Sequence, residues 1–122
     1  MFSEKFSNII SRAPSAARAL ELVERYLEDA AAHQRLDKLR LDPSLIQKIS
    51  KVDSSTELAV LISLLLSEQI LRRIVIVESP IGGGVAEFPS VDEVPDSLHD
   101  HFRDTWMDVT PNNLRTIYVA KS

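Results

Sequence analysis

The sequence predicts an α+β protein: a helical N-terminal part followed by a unit with a small antiparallel sheet. Three observations predict it. Apolar residues recur at three- and four-residue spacing through much of the stretch from Ala19 to Leu66. β-branched residues then crowd into Ile70–Val77. All three glycines follow at once, as Gly82, Gly83 and Gly84, where a strand would have to turn.

Residues 1–14 read as a frayed lead-in ending at Pro14. Ser15 is a candidate N-cap for a long helix over about 16–39, whose stripe is Ala19, Leu20, Val23, Tyr26, Leu27 and Ala30, with a break near His33 as an alternative. Asp42-Pro43 restarts the helical pattern as an N-cap and first-turn proline. That second helix runs to Lys51 and turns Leu45, Ile46 and Ile49 inward. Ser54 with Glu57 three residues on is a capping-box pattern, and it opens a helix over 55–69 that is apolar around most of its circumference. Such a helix is either central to the core or an oligomer contact. Strands are expected at Ile70–Val77, Val85–Phe88, Trp106–Val109 and Leu114–Val119, with one helical turn near Pro95–Leu98. Two short helices across a tight turn, followed by strands, give the layout of a winged-helix-like unit. The expected organisation is a helical region over 1–41 and a winged-helix-like domain over 42–122.

Composition narrows the function classes. The 122 residues are 44% apolar and 26% charged, as in an ordinary globular protein. There is no cysteine, which excludes disulfides, thiolate metal sites and a cysteine nucleophile. The first eleven residues lack the apolar core of a signal peptide, and Leu58–Leu66 is too short to span a bilayer, so the expected location is cytoplasmic and no membrane is expected as a partner. Charge is uneven. Residues 1–52 hold nine Lys/Arg against seven Asp/Glu, whereas residues 78–110 hold Arg103 alone against eight acids. A segment so negative repels phosphate, which disfavours nucleic acid as a partner.

From about Asp42 to Ala120 the chain carries Val77-Glu78-Ser79-Pro80-Ile81-Gly82-Gly83, then Ser90-Val91-Asp92-Glu93-Val94-Pro95, then Val109-Thr110-Pro111-Asn112-Asn113-Leu114. These segments resemble bacterial winged-helix domains with a zinc ribbon inserted in the wing. In that pattern the four zinc cysteines would stand at Ser79, Gly82, Asp100 and Arg103. Structural zinc needs four ligands, usually thiolate or imidazole, so the resemblance implies a degenerate, metal-free ribbon with no cofactor. Packing by Ile81, Phe88, Val94, Leu98, Phe102 and Trp106 is expected to replace the metal. Modules of this type serve as adaptor or linker domains in bacterial multi-component systems, defence systems among them.

Candidate chemistry is sparse. The helix over 55–69 has no Lys or Arg with which to read DNA. Arg72 and Arg73 could touch a phosphate backbone, but neighbouring strand residues face opposite ways and at most one would serve. His99-Asp100-His101 with Asp104 is ligand-like in composition yet matches no zinc spacing, and its segment reads as an exposed acidic loop. The glycine run lacks the Lys-Ser/Thr of a phosphate loop, and no nucleophile elbow surrounds Ser79. No catalytic residue is therefore expected, and no enzyme. The stripe Leu20, Val23, Leu27 with Leu61 and Leu65 either packs within the chain or supplies an interface for a protein partner or a homodimer. The expected function is a non-catalytic adaptor or regulatory subunit; the alternative is a dimeric winged-helix DNA-binding regulator using Arg72 and Arg73.

Overall fold

The computed structural model describes residues 2–121. Four helices come first, α1 (Ser3–Arg12), α2 (Ala17–Ala32), α3 (Pro43–Ser50) and α4 (Ser55–Ser67). Five strands follow, β1 (Leu71–Glu78), β2 (Gly84–Phe88), β3 (Ser97–Asp100), β4 (Thr105–Asp108) and β5 (Leu114–Ala120). The α+β class is as the sequence predicts. The chain divides into two compact units, one taking residues up to Arg72 and again from Tyr118, the other Arg73–Ile117. The units therefore do not part near residue 41. Tyr118 returns to pair with Leu41 through two backbone hydrogen bonds of 2.8 and 2.7 Å, which ties the end of β5 to the helices.

In the helical unit, α1 is the first departure from expectation. Phe2, Phe6 and Ile9 lie on one face at helical spacing and are fully or almost fully buried, so residues 3–12 are part of the core and not a frayed lead-in. The rings of Phe2 and Phe6 meet edge to face at 6.4 Å, and the Phe2 N–H donates to Glu28 Oε1 at 3.1 Å. Helix α2 stops at Ala32, short of residue 39. Gln34 takes a left-handed conformation, and Arg35 N–H reaches back to Ala30 O at 2.8 Å, the Schellman pattern that closes a helix.

The next two helices begin as their caps dictate. Asp42 accepts from Leu45 N–H at 2.8 Å with Pro43 behind it, and Ser54 Oγ accepts from Glu57 N–H at 3.1 Å. Glu57 reciprocates to Asp53 N–H at 3.3 Å, one residue before the position a capping box uses. Helix α4 buries Leu61, Ile62 and Leu65 but leaves Ala59, Val60, Ser63 and Ser67 outside, with Val60 52% exposed.

In the second unit, β1 pairs antiparallel with β2, and β3 with β4, while the order of the larger sheet is β2-β1-β5. Ile74–Val77 are all buried, so both faces of β1 are covered there. Strand β3 takes the place of the helical turn expected near residues 95–98, and a 3-10 turn lies earlier, at Val91–Glu93. The loop from Ser79 to Gly83 is closed by Ser79 N–H to Gly83 O at 2.9 Å and Gly82 N–H to Ser79 O at 2.9 Å, with Gly82 and Gly83 both at φ +97°. The conformation at Gly83 favours glycine, and a Cβ there would also lie 2.8 Å from the tip of the half-exposed Phe102 ring, which would have to move aside. Thr110 and Asn113 box the turn before β5, and Asn113 Nδ2 donates to Glu78 O at 3.4 Å.

Candidate functional site

The β3–β4 hairpin has two unlike faces, set by its register. Leu98 faces Met107, His99 faces Trp106, and Asp100 faces Thr105 across the pair. Alternation then puts Leu98, Asp100 and Met107 on one side and His99, Trp106 and Asp108 on the other.

The inner side ends in a buried charge. Asp100 is fully buried and accepts from Ser79 Oγ at 2.5 Å, Arg103 Nε at 2.7 Å and the Phe102 N–H at 2.9 Å. Ser79 is itself buried and accepts from Ile81 N–H at 3.3 Å. Burial alone would push the Asp100 carboxyl up. The hydrogen bonds from Ser79, from the Arg103 side chain and from the Phe102 and Arg103 backbone outweigh it, and hold the pKa at about 2, below the ordinary 3.8. A carboxylate held that low is a poor proton acceptor near neutral pH, so the trio clamps two turns together. Ser79, Asp100 and Arg103 are three of the four positions at which the resemblance drawn from the sequence would set cysteine. The fourth, Gly82, closes the same turn as Ser79. Sequence reasoning brought these positions together only through the resemblance and assigned them no contact with one another. The expectation that Asp100 lies on an exposed loop is corrected by its burial.

The outer side is aromatic and acidic. Trp106 is 69% exposed, and the His99 ring meets it edge to face at 5.8 Å. His99 Nε2 lies 3.2 Å from Asp104 Oδ1, in the turn where Asp104 itself takes a left-handed conformation. Asp108 is exposed two residues beyond Trp106 on the same side. His101 stacks on Phe102 at 4.2 Å instead of joining His99. The expected ligand-like cluster is thus split between sides, and among the described residues no three His, Asp or Glu groups converge as a metal would require. Ile81, Phe102 and Trp106, expected to pack in place of zinc, are exposed at 66%, 47% and 69%. The two turns are joined by these hydrogen bonds and by the half-exposed Phe102 ring, which lies over Gly83, while Ile81 and Trp106 stay largely in water.

The expected interface residues go elsewhere. Leu20, Val23, Leu27, Leu61 and Leu65 are all buried in the core of the helical unit, so the intramolecular alternative is the one realised. The stripe that motivated a homodimer is accounted for within one chain. Arg72 and Arg73 are both exposed at the start of β1. No helix among the described residues is long and apolar enough to cross a membrane. Comparison of the chain with protein-family models, with curated proteins and with solved structures finds no match to any of them.

Proposed function

We propose that the chain is a non-catalytic protein-recognition module, an adaptor or regulatory subunit of a bacterial multi-component system of the kind its sequence resembles, defence systems included. The observation that carries this reading is Trp106. Its indole is left mostly in water, and tryptophan is among the residues that dominate protein interfaces. The hairpin beneath it is held by the Ser79–Asp100–Arg103 clamp, and a pre-ordered surface loses less entropy when it binds.

The path of the chain supports the winged-helix expectation. Helix α2 is followed by the Leu41–Tyr118 bridge, then α3 and α4 across a short turn, then β1 and, after a long excursion, β5. The helix that would enter a DNA groove, α4, offers Ser55, Thr56, Glu57, Ala59, Val60 and Ser63 to solvent. None of these carries the positive charge that phosphate binding needs. Two measurements test the reading together. Fluorescence anisotropy with a labelled non-specific duplex at low salt is expected to show no binding; tight, salt-sensitive binding would support the regulator using Arg72 and Arg73 instead. Affinity capture from the host is expected to retrieve a protein with the native chain and to lose it with Trp106→Ala. Equal capture by both chains would remove the Trp106 face from the reading.

A further inference from the structure

We infer that the outward face of the β3–β4 hairpin docks a basic segment of the partner, an arginine or lysine side chain stacking on Trp106 while Asp104 and Asp108 take its N–H donors. This rests on the recognition reading above and adds the chemistry of the partner. Three features of the face carry it. Trp106 offers an open indole surface, and tryptophan is the best aromatic platform for a cation. Carboxylates flank the ring on both sides: Asp104, whose side chain is 95% exposed, in the preceding turn, and exposed Asp108 two residues further along the strand. The hairpin's one arginine, Arg103, is turned onto the buried Asp100, so it does not neutralise those two aspartates, and His99, 3.2 Å from Asp104 Oδ1, leaves the Asp104 side chain open to solvent.

The wider charge agrees. Residues 73–117 hold three Lys/Arg against eight Asp/Glu, whereas the helical unit holds eleven against ten. A basic segment is drawn towards such a surface over roughly a Debye length. A purely apolar partner would bury the flanking carboxylates without a counter-charge, which is costly. A phosphate-bearing partner would meet them with like charge.

Trp106 is the chain's single tryptophan, so its emission reports on this face alone. The probe is an oligoarginine peptide, with a citrulline peptide of equal length as the neutral control. Oligoarginine is expected to shift the emission saturably, more weakly as salt rises, and the citrulline peptide not to. The pair Asp104→Asn with Asp108→Asn is expected to weaken binding by about tenfold. Trp106→Ala, followed by calorimetry, is expected to do the same. Asp37→Asn, in the helical unit, is expected to leave the affinity unchanged. Circular dichroism establishes that each variant is folded. The inference is overturned if oligoarginine gives no saturable shift, if the citrulline peptide binds as tightly, or if the aspartate pair can be neutralised without loss. Should capture depend on Trp106 while oligoarginine fails to bind, recognition at this face stands and the basic partner is rejected.

Discussion

The two units hold themselves together by different means. In the helical unit, Phe6, Ile9, Leu20, Leu27 and Leu65 are all fully buried in one apolar cluster drawn from α1, α2 and α4. In the unit formed by Arg73–Ile117, Ile74–Val77, Met107 and Ile117 are buried too, but two turns 21 residues apart are joined by a serine, an aspartate and an arginine, while Ile81 and Trp106 stand largely in water. Apolar packing is summed over many small contacts and depends little on any one. A charge-assisted cluster concentrates its stabilisation in a few bonds, and removing one partner leaves buried polar groups exposed to the full desolvation cost. The first unit should therefore respond to volume, and the second to charge and pH.

Volume gives the largest effect. Leu27→Ala removes a fully buried side chain from α2 and is expected to cost about 2–5 kcal/mol in denaturant unfolding followed by helical circular dichroism. A loss below about 1 kcal/mol would mean that the site collapses freely and that the core is not close-packed.

The clamp comes next. Ser79→Ala removes one donor to a buried carboxylate and is expected to destabilise by about 1–3 kcal/mol, seen in Trp106 emission, which reports the β unit. Acid probes the same place. Asp100 is ionised in the folded chain down to about pH 2 but in the unfolded chain only above about 3.8. Its contribution is thus complete above the unfolded value and is lost as pH falls from there towards 2. An acid titration should change Trp106 emission in that window, and Asp100→Asn should remove the pH dependence while lowering stability at neutral pH. If Asp100→Asn keeps the acid transition of the native chain, other carboxylates are responsible and the contrast between the units weakens.

These effects also indicate what was legible in the sequence. Helix starts were, because Asp42-Pro43 and Ser54 carry their caps in their own chemistry; Ser54→Ala is expected to cost about 1 kcal/mol in thermal unfolding. Strands β1 and β2 were legible from β-branched residues and from the glycine turn between them. Strand β3 was not. Ser97-Leu98-His99-Asp100 has the composition of an exposed loop, and Asp100 is buried only because Ser79 and Arg103 meet it there. Helix α1 was missed although Phe2, Phe6 and Ile9 already stood at helical spacing, since ten residues make a marginal helix without the rest of the core. The candidate interface was misplaced for a related reason. A stripe such as Leu20, Val23 and Leu27 has the same pattern whether it meets its own chain or another, and only three-dimensional packing decides.

Helix stops were the least visible feature, and they give the smallest prediction. Helices α2, α3 and α4 each end at a residue in the left-handed region, Gln34 at φ 58°, Lys51 at 60° and Gln69 at 59°. Glycine is the usual occupant of that position, and every glycine of this chain is in the Ser79–Gly84 loop. Side chains bear a steric cost there that glycine does not, partly offset by the greater freedom glycine has in the unfolded chain. Gln69 comes one residue after the Glu68 that caps α4 and lets Ile70 N–H close back on Leu65 O at 3.0 Å. Gln69→Gly is therefore expected to stabilise the helical unit by about 0.5–1 kcal/mol, read as a higher denaturant midpoint with an unchanged slope. Gln69 also accepts from Lys121 Nζ at 3.2 Å through its side chain, an exposed contact whose loss costs little. A fall in the midpoint would show that this contact, and not the backbone conformation, decides the end of α4.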